Sequence, residues 1–500
     1  MSPLANDISR LSSATRQALQ TPAKNFIGGT WVATASHQSV IDPSSGLEIS
    51  QFCLAGAAQA NEAVDAALQA FKSPAWAALG AANRAMLLNN LAQRLEAERD
   101  LLAELETMDV GMPIWMSRNL DVGGAVAALR HMAGYTARTE GRTVPVTPPM
   151  PDASFFAATL KKPIGVVAAI IPWNVPLMMA VWKIAPALAA GCTVVLKASR
   201  EAALSVLALG RLIEEAGFPP GVVNIIAGGS EAGEALITHP GVAKVSFTGS
   251  TGVGRQVAAL AAMGPKKLTL ELGGKSPQLV FADADLERCT PGIANSIFLN
   301  AGQVCVAGSR LYVHESRHDE LVERLVAHMS GLVQGPGLDE TSAIGPLISQ
   351  QQQQSVQTYL TNAATEGAEI CTPRPLPAWV SGYYVAPTLI LKARQDMQAV
   401  REEIFGPVLS ISTFHDVEEA VGLANDSEYG LSACLWTESL RTALSIAPRL
   451  HTGKVAINSE PMPYPALPEG GCKASGYGRE LGPDAVDDCL ETQSMLIRLH

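Results

Sequence analysis

Cys305 lies in FLNAGQVCVAGSR (298–310), between two valines and just after an Asn, a Gly and a Gln. A lone cysteine of this kind is either a buried apolar filler or a thiol nucleophile. Three other stretches hold groups that would complete a nucleophile's chemistry. In LELGGKSP (270–277), Glu271 ends an apolar run just before two glycines. It reads as a paired structural acid or as a general base beside a site the glycines leave open. In PWN (172–174), Asn174 either caps the helix that follows or aims an amide donor at a developing oxyanion. In FTGSTGVG (247–254) the glycines turn the chain toward a helix whose first N–H groups are free to meet phosphate. The turn lacks the GxGxxG spacing, so Ser250 as a plain N-cap remains an equal reading.

The elements that must carry these groups follow from hydrophobic pattern. GVVAAII (165–171), TVVLK (193–197), VVNII (222–226) and KVSF (244–247) are continuous apolar runs, each followed by a helical segment. Such alternation predicts a parallel sheet covered on both faces, with ligands bound beyond the carboxyl ends of its strands. PWN, FTGSTGVG and LELGGKSP all fall where strands end. A second α/β region starts near 273, marked by QLVF (278–281), RLYVH (310–314) and LSISTF (409–414). Residues 58–135 read as mostly helical, with alternation earlier in NFIGGTWV. The Pro-rich segment 142–163 predicts a projecting hairpin, and QQQQ (351–354) a solvated helix face.

Composition narrows the class. The 500 residues are 47% hydrophobic and 17% charged, enough for two or three domains. Lys and Arg number 36 against 47 Asp and Glu, a net charge of -11, which argues against nucleic acid or an anionic membrane as partner. Residues 164–182 imitate a membrane span, but Pro172, Asn174 and Pro176 interrupt it, so a strand, a turn and a helix are expected instead. The N-terminus has no apolar run of a secretory leader. Eight scattered cysteines without CxxC pairs or metal-ligand spacing predict reduced thiols, a cytoplasmic protein and no metal.

The motifs taken together, NxGQxC (300–305), LELGGKSP, PWNxP, FTGS and EEIFGPV (402–408), resemble the NAD(P)-dependent aldehyde dehydrogenase superfamily. The resemblance runs from NFIGGTWV to GGCKASGYGREL (470–481). It implies an α/β fold in three parts: a Rossmann-type dinucleotide-binding domain (1–139 and 163–270), an α/β catalytic domain (271–472) and a small β oligomerisation domain (140–162 and 473–500). It implies Cys305 as the nucleophile that forms a thiohemiacetal and then a thioester. Asn174 would stabilise the oxyanion, Glu271 would activate the hydrolytic water, and Lys183 and Glu480 would lie on a proton path. Cofactor contacts would come from Trp173, Lys197, Gly249, Ser250, Gly273, Glu403 and Phe405. The substrate is an aldehyde and the assembly a homodimer or homotetramer.

Departures from the family pattern carry the finer expectations. The family's K-P-S/A-E is KASR here, which puts Arg200 where a glutamate holds the adenosine ribose. An arginine would attract a 2′-phosphate of roughly -1.5 to -2 charge, so NADP is expected to be accepted as well as NAD. Val175, Leu299 and Pro463 match positions that are aromatic in many relatives, and Gly124 matches a bulkier side chain. With Trp182, Val304 and Val306 they predict a wide apolar tunnel for a bulky or aromatic aldehyde. The family's P-F-G-G is PEGG, so Glu469 replaces the aromatic, with Glu460 nearby. These acids either favour a cationic aminoaldehyde or lie on the surface, and a semialdehyde dehydrogenase stays as a separate alternative. A CoA-acylating enzyme is disfavoured by Glu271, and an idle structural homologue by the intact trio of Cys305, Glu271 and Asn174.

Overall fold

The computed structural model describes residues 6–147, 153–376 and 381–499. The apolar runs form an eight-stranded sheet in the order Gly476–Tyr477, Lys267–Glu271, Val242–Thr248, Val166–Ile170, Thr193–Ala198, Val223–Ala227, Asn25–Ile27 and Thr30–Val32. The five middle strands are parallel and the outer pairings antiparallel. Strand order reverses between Val166–Ile170 and Val242–Thr248. A doubly wound sheet opens a ligand crevice at such a reversal, beyond the carboxyl ends. PWN and Gly249–Ser250 follow those two strands directly.

A second, seven-stranded sheet runs Glu369–Cys371, Thr388–Leu391, Val408–Phe414, Arg310–His314, Pro277–Val280, Ser432–Trp436 and Lys454–Ile457, parallel except for its first pair. NFIGGTWV forms the antiparallel hairpin at the edge of the first sheet. Gly28 and Gly29, at φ 61° and 81°, supply the left-handed pair that a two-residue hairpin loop needs.

The stretch that imitated a membrane span becomes the buried strand Val166–Ile170 and the helix Pro176–Ala190, of which every residue but Met178 is buried. Pro176 opens the helix, where its missing N–H costs nothing, and Gly191 at φ 95° closes it. Among the described residues no helix is long and apolar enough to cross a membrane.

The Pro-rich segment is more than a free hairpin. Val144 N–H donates to Ala157 and Thr159 N–H to Arg142, but the strand Phe155–Pro163 takes its main partner from Leu490–Arg498, in nine antiparallel pairs. Residues 148–152 of the expected hairpin, and the chain ends at 1–5 and 500, lie outside the described residues. The strand Gly476–Tyr477, expected with the oligomerisation part, pairs instead with Lys267–Glu271 of the first sheet.

Candidate active site

One cavity of about 920 Å³ lies at the carboxyl ends of the first sheet and reaches the second. Cys305, Glu271 and Asn174 all line it. Their positions come from three different breaks in regular structure. Asn174 sits in the turn between Ile170 and Pro176. Glu271 is the last residue of its strand, and its carbonyl accepts the Gly249 N–H at 3.0 Å, tying it to the neighbouring turn.

Cys305 is held by a loop after the helix Leu286–Phe298. There Asn300, Ala301 and Gly302 are left-handed in succession, at φ 49°, 54° and 74°. Two of these carry a Cβ, a strained arrangement that persists only where the surroundings impose it. The Asn300 amide donates to the Asn174 carbonyl at 2.9 Å, and the Asn174 amide donates to the Gln303 carbonyl at 2.9 Å. Gln303 donates to the Asn300 carbonyl and accepts from Ile348 N–H. Side chains of the motif NxGQ thus lace the cysteine loop to the asparagine turn. Sequence reasoning quoted Asn300 and Gln303 without a role. Gly274 lets the segment after Glu271 approach the cysteine loop, since a Cβ there would strike the Cys305 carbonyl oxygen.

The charges are arranged against a free thiolate. Cys305 is half-buried, and burial raises its thiol well above the usual range, with the carboxylates of Glu271, Glu403 and Glu469 adding to the effect. Glu271 is 4% exposed, and burial raises its carboxyl too, reinforced by Glu480 and Glu469. Lys183 and the Gly471 N–H, which donates to Glu271 Oε1 at 3.1 Å, oppose that rise. A carboxyl titrating higher than usual is better matched to taking a proton from a thiol or a water.

The cofactor-side residues gather at the same cavity, which Trp173, Gly249, Ser250, Gly273, Glu403 and Phe405 all line. Ser250 caps the helix Thr251–Ala262, its Oγ accepting from Val253 N–H, which is the N-cap reading of FTGSTGVG. Trp173 and Phe405 stand edge to face at 5.4 Å, and Phe405 is itself left-handed at φ 54°. Gln352 fixes that loop by donating to the carbonyls of Ile404 and Phe405 at 3.1 and 2.9 Å. QQQQ is therefore not only a solvated face, and no sequence signal told Gln352 from its neighbours. Glu403 Oε1 accepts the Gly274 N–H at 2.9 Å, and burial pushes its carboxyl up to about 7. A Cβ at Gly273 would collide with the Glu403 carboxylate, so glycine keeps this corner open.

Four residues lie off the cavity lining. Lys183 donates to Ser246 Oγ at 3.1 Å and pairs with Glu480, both buried behind Glu271. Lys197 is 7% exposed, its ammonium lowered to about 8 by burial, with only a long bond of 3.4 Å to the Ala198 carbonyl. Arg200 is 61% exposed at its side chain and pairs with Glu201 at 2.9 Å.

The tunnel side holds Gly124, Val175, Trp182, Leu299, Val304, Val306, Glu460, Pro463 and Glu469. Two expectations need correction. The space beside Gly124 is not vacant, because Met178 Sδ lies 2.9 Å from where a Cβ would stand. Glu469 is no surface acid: it is 3% exposed and accepts from Lys454 Nζ at 2.8 Å. Glu460 is half-buried and accepts from the Asn295 amide at 3.4 Å. Among the described residues no group of His, Cys, Asp and Glu is arranged to hold a metal ion.

Comparison with known proteins places this geometry. Residues 31–495 match the family model described as the aldehyde dehydrogenase family. Phenylacetaldehyde dehydrogenase of Pseudomonas fluorescens is 42% identical over 485 residues, 96% of each chain. The human mitochondrial aldehyde dehydrogenase is 39% identical over 504 residues, 98% of this chain and 96% of its own. Among solved structures, aldehyde dehydrogenase from Bacillus cereus in complex with NAD+ superposes with a TM-score of 0.95 at 38% identity, covering 98% of this chain and 99% of its own. A cysteine, a base and an amide around one cavity at the switch point of a nucleotide sheet, and a family match over nearly the whole length, lead to one assignment: the chain belongs to the aldehyde dehydrogenase family and is an oxidoreductase using an NAD-type cofactor.

Proposed function

We propose that the protein oxidises a bulky or aromatic aldehyde to its carboxylic acid through a covalent intermediate on Cys305. The observation that carries this reading is the meeting of Cys305, Glu271 and Asn174 on one apolar-walled cavity. The thiol, held neutral at rest, passes its proton to Glu271 as sulfur bonds to the aldehyde carbon, and Glu271 releases that proton before the hydrolytic step. The developing oxyanion accepts from the Asn174 amide, whose second hydrogen is not used by Gln303. A dinucleotide held beside Cys305 would supply the hydride acceptor for the oxidation that leaves a thioester on the sulfur. Glu271 then takes a proton from water as that water attacks the thioester carbon, and the thiol is regenerated with release of the acid. Lys183, Ser246 and Glu480 form a buried polar chain behind Glu271, suited to passing the proton outward.

The residues present fit a dinucleotide. Ser250 and the free N–H groups of its helix suit the pyrophosphate, and Glu403 and Phe405 suit the nicotinamide ribose and ring. Lys197 suits the adenosine ribose. The exposed Arg200–Glu201 pair is worth at most about 1 kcal/mol, so a 2′-phosphate can displace it, which supports use of NADP as well as NAD. Exposed Phe156, Leu160, Leu496 and Ile497 on the Phe155–Pro163 and Leu490–Arg498 sheet support a homodimer or homotetramer.

A panel of aldehydes assayed with the wild-type protein and Cys305→Ala tests the reading. Arylaldehydes should be turned over with a higher kcat/KM than acetaldehyde, and Cys305→Ala should abolish both. Equal turnover of acetaldehyde and arylaldehydes would refute the wide tunnel.

A further inference from the structure

The carboxylate of Glu469 stands where an apolar aldehyde would have no use for it. It lines the cavity that holds Cys305 and is 3% exposed. Its backbone is fixed by a reciprocal pair with Glu480: the Glu469 N–H donates to the Glu480 carbonyl at 2.6 Å, and the Glu469 carbonyl accepts the Glu480 N–H at 2.7 Å. One carboxylate oxygen, Oε2, is held by Lys454 Nζ at 2.8 Å, and the same ammonium donates to the Met462 carbonyl at 2.6 Å. Met462 also lines the cavity, so Lys454 braces both the acid and the facing wall. Among the described residues no hydrogen bond reaches the other oxygen, Oε1.

A buried carboxylate with one oxygen paired and the other open to a cavity is an acceptor awaiting a donor. Lys454 balances its charge, so the acid is kept without being consumed by the pair. We infer that Glu469 is a specificity-determining residue whose free oxygen accepts a hydrogen bond from the tail of the aldehyde. The preferred substrates therefore carry a hydroxyl or ammonium donor away from the reacting carbon. This rests on the aldehyde-oxidising reading above and narrows its substrate class. A site built to receive a donor discriminates against the analogue that lacks one, because the acceptor is then left buried and unpaired.

The test compares kcat/KM within matched sets: propanal, 3-hydroxypropanal and 3-aminopropanal, and phenylacetaldehyde against its 4-hydroxy form. The wild-type protein should favour at least one donor-bearing member of a set by about tenfold or more. The hydroxyl and ammonium arms show which donor the pocket takes. Glu469→Phe, which fills the site with a ring that accepts nothing, should bring that ratio to about one, mainly through a higher KM for the donor-bearing aldehyde. Should that variant fail to fold, Lys454→Met leaves Glu469 in place but unbraced, and the ratio should fall there too. Circular dichroism and the melting temperature confirm that each variant is folded. A wild-type ratio near one in every set, or an unchanged ratio in a folded Glu469→Phe, overturns the inference. Failure of the wild-type protein to oxidise any aldehyde would instead overturn the reading on which it rests.

Discussion

Gly471 donates its backbone N–H to Oε1 of Glu271 at 3.1 Å, so the base is held by a glycine two residues beyond Glu469. The segment that replaces the family's aromatic thus touches the proposed base through its backbone and adds a repelling charge from Glu469.

A pH profile follows from that contact. Burial, then Glu480 and Glu469, raise the Glu271 carboxyl, and the base works only when deprotonated. The rate of thioester hydrolysis should therefore climb with pH along a limb set well above the ordinary carboxylate range. Glu469→Gln removes a repelling charge and should move that limb to lower pH by about half a unit or more. Removal of the attractive charge, in Lys183→Met, should move it the other way. Single-turnover acid release across pH reads both shifts.

The left-handed run at 300–302 predicts a sharp penalty. Gly302→Ala adds a Cβ at φ 74° against the Gly406 carbonyl, and must move the loop that ends in Cys305. A displacement of about 1 Å at the nucleophile lowers kcat roughly 10²-fold. Cofactor binding, measured by fluorescence quenching, should change far less.

The proposed use of NADP makes a prediction at the Arg200–Glu201 pair. Arg200→Glu should raise KM for NADP about tenfold or more while leaving NAD turnover near wild type. Glu201→Ala frees the guanidinium and should improve NADP use. Steady-state kinetics with each cofactor provides the comparison, and a large NAD preference in the wild-type protein would sink the expectation.

A buried acid pair predicts loss of stability in alkali. Glu106 Oε1 accepts the Leu177 N–H and Asp121 Oδ1 the Met178 N–H, at the start of the helix just after Asn174. Burial raises both carboxyls above their ordinary values, and the charge of Asp121 adds to the rise at Glu106. A group raised in the folded state stabilises below its unfolded value, about 4, and that contribution is lost as pH climbs through the folded values. The melting temperature should therefore fall from pH 6 to pH 9. Asp121→Asn keeps an acceptor for Met178 and removes the second charge, so its fall should be smaller.

The sequence carried what is local and what is chemically rare. The strand–helix alternation, the glycine turns and the order of Asn174, Glu271 and Cys305 are visible because apolar period and residue type mark them directly. What it did not carry depends on which distant side chain closes a gap. Glu469 looked like a surface acid because Lys454 comes to it from a strand of the other sheet. Gly124 looked like open room until Met178 filled it. Gln352 could not be told from the four other glutamines of the run 350–354, since only the packed helix decides which one meets Phe405. Glu106 and Asp121 lie 71 and 57 residues from the N–H groups they cap.

The central claim is that Cys305 carries an acyl group which Glu271 frees by activating water. Glu271→Gln mixed with an arylaldehyde and NAD should give a burst of NADH close to one per active site, followed by slow turnover. Intact-mass measurement should then find one acyl adduct, located on the peptide containing Cys305. Steady turnover at the wild-type rate with no adduct on Cys305 would contradict the account.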